Sequence, residues 1–132
     1  MNIFDDLRGM QTMLLDDDEW IRDSLRVSFE TEGCPISVFE TAEEALEELR
    51  RKPYDIIIFD FRLPAMDGLE FIRQVPESSS GAIKILISAY LDDKLISEMK
   101  KLPVKGILEK PFNSVALLSS LSFFIRQGNP RI

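Results

Sequence analysis

Asp55-Ile56-Ile57-Ile58-Phe59-Asp60 sets four large apolar residues between two acids. A short run that is rich in β-branched residues is typical of a strand rather than a helix. Because no polar residue interrupts the run, the pattern predicts a strand that is covered on both faces, as in the middle of a parallel sheet. Ligands of open α/β sheets bind just beyond the carboxyl ends of the strands. Asp60, where this strand ends, is therefore the residue at which chemistry is expected.

Length, composition and charge restrict the class of protein. A chain of 132 residues with 45% hydrophobic residues is sufficient for one domain with a continuous core. The net charge of −7 argues against direct binding of this domain to nucleic acids or anionic membranes. No apolar run approaches the ~20 residues of a membrane span, and the first residues lack the basic and then apolar order of a signal peptide. These features predict a cytoplasmic protein.

Residue types that are missing or rare exclude several kinds of site. The sequence contains no histidine, which excludes a Ser-His triad, a metal site built on histidine and a phosphohistidine on this chain. Cys34 is the only cysteine, so an internal disulfide is not possible. Because it precedes Pro35, Cys34 is expected to be a half-buried loop residue with no redox role.

Hydrophobic periodicity and capping residues predict five strands that alternate with five helices. The predicted strands are residues 11–15, 36–39, 55–60, 83–87 and 106–109. The predicted helices are residues 18–30, a segment from the Thr41 capping box to Pro53, 68–75, 92–102, and a segment that begins after Asn113. Such alternation indicates a parallel sheet with helices on both faces. The domain is expected to span residues 11–127, with a tail at 128–132 and, at 1–10, either a disordered lead or a short extra helix.

Residues suited to phosphate chemistry lie at the ends of four predicted strands: Asp16 and Asp17, Asp60, Ser88 and Lys110. The carboxyl ends of parallel strands meet at one edge of the sheet, so these side chains should converge. Carboxylates at close range repel one another, and a hard cation such as Mg²⁺ relieves that repulsion through oxygen ligands. Lys110 and Ser88 would hold the oxygens of a phosphoryl group, and an aspartate can itself be the nucleophile.

Four motifs, in this order and at this spacing, resemble those of the receiver domain of two-component response regulators. They are Leu14-Leu15-Asp16-Asp17-Asp18, Asp60 with Pro64 and Asp67-Gly68, Ser88-Ala89, and Lys110-Pro111-Phe112. The resemblance runs from about Gln11 to Ile125 and implies a flavodoxin-like (βα)5 fold. That fold is a three-layer α/β sandwich with a parallel five-stranded sheet of order 2-1-3-4-5.

The resemblance implies that Asp60 is the phosphoacceptor and part of a magnesium site. Asp17 would bind Mg²⁺ directly, Asp16 would act through water, and the backbone carbonyl of Arg62 would complete the protein's ligands. Mn²⁺ is expected to substitute for Mg²⁺, and no organic cofactor is expected. The domain would catalyse only its own phosphorylation and dephosphorylation and is not otherwise expected to be an enzyme.

The same resemblance makes Ser88 the switch hydroxyl that moves to the phosphate, and Lys110 the lysine that binds it. It also implies a cis peptide bond between Lys110 and Pro111. Phosphorylation would repack the face built from the fourth predicted helix, the fifth strand and the fifth helix.

Three features depart from the family pattern. The position three residues before Lys110, often aromatic in the family, is Ile107, which puts the usual coupling between hydroxyl and aromatic ring in question. Arg62 and Tyr90, two residues after Asp60 and Ser88, are both bulky and are predicted to shield the phosphate and lengthen its lifetime. Residues 100–105 form a basic patch on an acidic protein, for which ordinary surface charge is the simpler interpretation.

The implied partners are a histidine kinase or a histidine phosphotransfer protein as donor, and an output protein that the sequence does not name. The domain would act as a monomer or as a phosphorylation-dependent dimer. Two alternatives stay open: a pseudo-receiver used only for docking, and the isolated receiver domain of a longer transcriptional regulator. A haloacid-dehalogenase-like phosphatase is disfavoured, because it needs a second aspartate where this chain has Arg62.

Overall fold

Within residues 2–128, which the computed structural model describes, five strands form one parallel sheet. The strands are β1 Thr12–Leu15, β2 Ile36–Phe39, β3 Ile56–Asp60, β4 Ile83–Ser88 and β5 Gly106–Glu109. Their order is β2-β1-β3-β4-β5, so the predicted 2-1-3-4-5 arrangement is confirmed. β3 lies in the middle of the sheet and pairs with β1 on one side and β4 on the other.

Helices connect the strands and cover both faces of the sheet. They are α1 Ile3–Leu7, α2 Glu19–Thr31, α3 Ala42–Arg51, α4 Gly68–Arg73, α5 Asp93–Met99 and α6 Ser114–Gly128. Because α1 precedes the first strand, each later helix has a number one higher than that of the corresponding predicted helix. The fourth predicted helix, the fifth strand and the fifth predicted helix, which were predicted to repack, are therefore α5, β5 and α6. No helix in the described part of the chain is long and apolar enough to cross a membrane.

Several elements end a few residues away from their predicted ends. β4 includes Ser88, so this residue closes the strand rather than following it. α5 ends at Met99, because beyond the cap residue Lys100 the backbone N–H groups of Lys101 and Leu102 bond to carbonyls only three residues back, in a tighter turn. α6 continues through Gly128, which the predicted tail included, while residues 129–132 lie outside the described residues.

The central strand is covered on both faces, as its apolar run predicted. Ile57 and Phe59 face a core cluster that is closed by α3, α4 and α5, and Ile56 and Ile58 face a second cluster under α2 and α6. All four side chains are fully buried. Burial of a side chain of this size stabilises a fold by about 1.5–3 kcal/mol relative to exposure. The strand that ends in Asp60 is therefore firmly anchored in the sheet.

Capping residues start the helices as the sequence predicted. Side chains that accept a hydrogen bond from the first turn of a helix are Asp18 before α2, Thr41 before α3 and Asn113 before α6. α2 ends at Thr31, and Gly33, two residues later, has a φ of +72°, in the left-handed region that glycine adopts readily after a helix. The caps hold the beginnings of α2 and α6 close to the carboxyl edge of the sheet.

Residues 3–7 form the helix α1, which is one of the two alternatives predicted for the N-terminal segment. Leu7 is fully buried in the second core cluster, and Arg8 Nε donates to the carbonyl of Glu32 at 2.8 Å. Cys34 lies below this helix, with Sγ 3.6 Å from the carbonyl oxygen of Phe4. Cys34 is therefore buried rather than half-buried as predicted, and burial raises the pKa of its thiol.

Candidate functional site

The parallel sheet brings the predicted site residues to one edge. Asp16 and Asp17 follow β1, Asp60 ends β3, Ser88 ends β4 and Lys110 follows β5. The strands that carry them are neighbours, because β3 pairs with both β1 and β4, and β4 pairs with β5. Residues far apart in sequence thus meet for a topological reason, at the edge where ligands of such sheets bind.

Lys110 connects two of the aspartates. Its Nζ lies 2.8 Å from Asp60 Oδ2, to which it donates a hydrogen bond, and 3.0 Å from Asp16 Oδ2. The Lys110 backbone N–H donates to the carbonyl of Ser88 at 2.8 Å, which ties the loop to the end of β4. The Lys110–Pro111 peptide bond is cis, as the resemblance implied. One ammonium group therefore bridges two carboxylates at the sheet edge.

Asp16 is the most deeply buried acid of the site and has no exposed surface. Burial, with a further contribution from the charge of Asp60, raises its pKa to about 6, although the Asp18 backbone N–H and Lys110 act in the opposite direction. Burial alone would lower the pKa of Lys110, but its contacts with Asp60 and Asp16 outweigh this effect and raise it. The lysine therefore stays protonated at neutral pH, while the ionised form of Asp16 is destabilised.

Asp16, Asp17 and Asp60 form a carboxylate cluster, each offering an oxygen within 4.8 Å of the others. Asp16 Oδ2 accepts no hydrogen bond among residues 2–128, and its contact with Lys110 Nζ at 3.0 Å is an ion pair. A buried carboxylate oxygen without a donor, facing two further carboxylates, is a suitable ligand for a hard divalent cation. The residues present therefore fit a bound Mg²⁺ ion.

Ser88 is buried at the end of β4, and its hydroxyl is turned toward the next loop. Ser88 Oγ donates to the carbonyl of Tyr90 at 3.0 Å and accepts from the Tyr90 N–H at 3.2 Å. Within the described residues, the Ser88 hydroxyl makes no hydrogen bond to Asp60 or Lys110. The structure thus places the predicted switch hydroxyl beside the site but engages it elsewhere.

Arg62 and Tyr90, the two bulky residues predicted to shield the phosphate, contact each other beside Asp60 and Ser88. The Arg62 backbone N–H donates to Asp60 Oδ1 at 3.2 Å. The Arg62 guanidinium carbon lies 5.1 Å from the centre of the Tyr90 ring, which is the geometry of a cation–π contact. Their side-chain contact was not predicted from the sequence, because side chains 28 positions apart give no local signal.

The other predicted residues occupy different surroundings. Ile107, in β5, is half-buried against the first core cluster and is paired in register with Leu86. Lys100, Lys101 and Lys105, from the predicted basic patch, are exposed and make no ion pair within the described part of the chain. All of these residues lie outside the carboxylate cluster, Ile107 in β5 and the three lysines in the connection from α5 to β5.

Gly68 has a structural role that the sequence pattern did not reveal. A Cβ atom at this position would lie 2.6 Å from the carbonyl oxygen of Asp60 and 2.9 Å from Cα of Phe61. The Gly68 N–H also donates to the Phe61 carbonyl at 2.7 Å. The Asp67-Gly68 pair, seen in the sequence only as a motif and a turn, therefore lets α4 begin in contact with the backbone of the phosphoacceptor candidate.

Comparison with known proteins identifies the family. Residues 12–122 match the family described as the response regulator receiver domain. The chain belongs to this family. The receiver domain has the fold that its sequence motifs implied, and three of its strand-end acids lie together at one edge of the sheet.

Relatives of this receiver domain include proteins that it covers almost entirely and longer proteins that it covers in part. It is 29% identical to the transcriptional regulatory protein FixJ of Bradyrhizobium diazoefficiens over 89% of this chain and 57% of FixJ. It is 27% identical to the chemotaxis protein CheY of Halobacterium salinarum over 85% of this chain and 93% of that protein. The chain spans between 24% and 57% of the length of the first three curated relatives.

Solved structures share the fold. A CheY-like receiver domain from Methanospirillum hungatei superposes with a TM-score of 0.83 at 24% identity, covering 90% of this chain and 95% of that one. CheY4 of Vibrio cholerae superposes with a TM-score of 0.80 at 25% identity, covering 86% of this chain and 97% of that one. Both likenesses extend over nearly the whole receiver domain.

Proposed function

We propose that this receiver domain is a phosphorylation-controlled switch in which Asp60 accepts a phosphoryl group from a histidine kinase or a histidine phosphotransfer protein. The observation that carries the proposal is the position of Lys110 Nζ, 2.8 Å from Asp60 Oδ2, at the edge of a cluster of three carboxylates. A fixed cation next to a candidate nucleophile is the arrangement that phosphoryl transfer needs, since positioning and charge neutralisation do most of its catalysis.

In the proposed reaction, an oxygen of Asp60 forms a bond to phosphorus as the bond from phosphorus to the donor nitrogen breaks. Lys110 then holds an oxygen of the transferred group. Asp16, Asp17, Asp60 and the backbone carbonyl of Arg62 would bind Mg²⁺, with Mn²⁺ as a substitute. The bound ion supplies charge neutralisation for the phosphoryl oxygens. Without it the three carboxylates repel an incoming anion, so we expect phosphorylation to depend on the metal.

The donor protein needs a docking surface that opens on the site. Trp20 is largely exposed at the start of α2, and it lines an apolar groove together with Ile21, Pro111 and Phe112 that reaches Lys110. An exposed tryptophan in an apolar groove is typical of residues that dominate protein interfaces. We place the donor protein there, and we place the receiver domain in the cytoplasm, where its donor would act.

The proposed output follows from the added charge at Asp60. Ser88 would turn toward the phosphate and repack the face of α5, β5 and α6, and Ile107 would take part in that change. An output protein would bind this face, and the exposed lysines 100, 101 and 105 give it a positive charge. The domain would act as a monomer or form a dimer on phosphorylation. The alternative of a docking-only pseudo-receiver predicts the same fold but no phosphorylation.

Mass spectrometry of the intact protein tests the phosphoacceptor. After incubation with Mg²⁺ and a small acyl-phosphate donor, we expect a single adduct of ~80 Da in the wild type and none in Asp60→Asn. Asp93→Asn, which changes an exposed aspartate at the start of α5, is the matched control and should form the adduct normally. No adduct in the wild type would favour the docking-only alternative, and an adduct in Asp60→Asn would place the acceptor elsewhere.

The decay of this adduct tests the proposed shielding by Arg62 and Tyr90. Two bulky side chains, at the positions two residues after Asp60 and two after Ser88, should hinder attack by water, so the phosphoryl group should persist for much longer than seconds. Replacement of Arg62 by Ala is expected to accelerate the decay. A half-life of only seconds in the purified wild type would contradict shielding.

A further inference from the structure

We propose that Arg62 and Tyr90 are positioning residues that hold the hydroxyl of Ser88 in its resting orientation, and that phosphorylation releases this hold. The inference rests on the proposed role of Asp60 as phosphoacceptor. It differs from shielding, because it concerns the domain before phosphorylation and the ease with which the switch moves.

The first step is the double hydrogen bond between Ser88 and Tyr90. The Ser88 hydroxyl both donates to the Tyr90 carbonyl and accepts from the Tyr90 N–H, at 3.0 and 3.2 Å. Ser88 itself belongs to β4 and is buried, so its backbone is held by the sheet. To leave the resting orientation, the hydroxyl must therefore lose two bonds to one residue, and the position of Tyr90 decides how firmly both are held.

The second step is the anchoring of Tyr90. Its side chain is 69% exposed, so the core does not fix it. Within residues 2–128, its ring contacts the guanidinium of Arg62, whose carbon lies 5.1 Å from the ring centre. An exposed cation–π contact shifts an equilibrium by about two- to fivefold. The Arg62 side chain therefore favours the Tyr90 position that keeps both Ser88 bonds.

The third step is the connection of Arg62 to Asp60. The Arg62 backbone N–H donates to Asp60 Oδ1 at 3.2 Å, so the root of its side chain lies beside the proposed phosphoacceptor. A phosphoryl group on Asp60 would attract the guanidinium through charge-assisted hydrogen bonds, which are stronger than an exposed contact with a ring. Phosphorylation would thus withdraw Arg62 from Tyr90 and free Ser88. This route does not require an aromatic residue at position 107.

Hydrogen exchange of the residue-90 amide, measured by NMR on the unphosphorylated protein without metal, tests the resting contact. That N–H is donated to Ser88 Oγ, so its protection reports the bond itself. After correction for intrinsic rates, we expect Arg62→Gln and Tyr90→Ala each to accelerate exchange by about two- to fivefold. Ser88→Ala removes the hydrogen-bond acceptor and gives the exchange rate of the residue-90 amide without this bond.

Two matched variants separate this contact from general charge or surface effects. Tyr90→Phe keeps the ring and should leave the exchange rate unchanged. Lys94→Gln removes another cation that lines the same groove and should also have no effect. Both substitutions remove the same contact, so the double variant Arg62→Gln/Tyr90→Ala should exchange as fast as either single variant. The inference would be overturned if the accelerations of the two single variants multiplied in the double variant, or if exchange in Arg62→Gln were unchanged.

The release step needs the phosphorylated domain and a separate readout. Acyl phosphate with Mg²⁺ should accelerate exchange of the residue-90 amide in the wild type and change it less in Arg62→Gln. The mass of the same samples reports whether phosphorylation occurred. An absent adduct would refute the proposed function, while an adduct with unaltered exchange would refute the release of Ser88 alone.

Discussion

Asp16→Asn is expected to raise the free energy of unfolding of the metal-free receiver domain by about 1–3 kcal/mol at neutral pH. The wild-type carboxyl has no exposed surface, and its pKa is raised from 3.8 to about 6, first by burial and then by the charge of Asp60. An amide of the same shape removes the buried charge and retains an oxygen for the Asp18 N–H, which donates to Asp16 Oδ1 at 2.9 Å. The loss of the ion pair with Lys110 reduces the gain.

The sign of the pH dependence follows from the direction of this shift. Because the native pKa of Asp16 is the higher one, the native state binds more protons than the unfolded state between pH 3.8 and about 6. The destabilisation by Asp16 is therefore fully present above pH 6 and disappears as the pH falls below 4. Urea unfolding at pH 4.5 and 7.5, without metal, should show a smaller advantage of Asp16→Asn at the lower pH.

Asp17→Asn is the matched control, because Asp17 belongs to the same cluster but is exposed. We expect it to change the metal-free stability less than Asp16→Asn. Added Mg²⁺ should stabilise the wild type by preferential binding to the native state, and should stabilise Asp16→Asn less. If Asp16→Asn unfolded more easily than the wild type at pH 7.5, the buried charge would not be the dominant effect at this site.

Gly68→Ala is expected to lower the free energy of unfolding by about 2–3 kcal/mol. Alanine is normally the better helix former, so a helix-terminal glycine would gain stability from this change if space allowed it. Here the added Cβ would lie 2.6 Å from the Asp60 carbonyl oxygen and 2.9 Å from Phe61 Cα. Both neighbours are backbone atoms of the central strand and its exit, and neither can rotate away as a side chain could.

The glycines of the chain provide a control for this prediction. A Cβ on Gly81 would meet no atom within 4 Å, so Gly81→Ala should be close to neutral in the same chemical unfolding experiment. Because Gly68 touches the carbonyl of Asp60, Gly68→Ala should also slow acyl-phosphate labelling, whereas Gly81→Ala should not. A Gly68→Ala protein as stable as the wild type would mean that α4 shifts away from β3 without loss.

Local patterns in the sequence were sufficient for the elements and for the candidates at their ends. The apolar run before Asp60 predicted a buried strand because a β-branched run without polar residues suits a strand covered on both faces. Asp18, Thr41 and Asn113 predicted helix starts because their short side chains reach backbone N–H groups two or three residues ahead. Alternation of strands and helices predicted a parallel sheet, and the resemblance of four motifs added the strand order.

Contacts between distant side chains were decided only by the tertiary structure. The sequence predicted that Asp16, Asp60 and Lys110 converge, but not that the ammonium group bridges the two carboxylates. It gives no sign that a Cβ at position 68 would strike the backbone of Asp60, or that Arg62 stacks on Tyr90. The N-terminal segment was equally open, since a five-residue helix is not stable by itself and exists here because Leu7 is buried in the core. Periodicity and capping act over one or two turns of chain, whereas these contacts depend on which strands pair and on the side-chain conformations that packing selects.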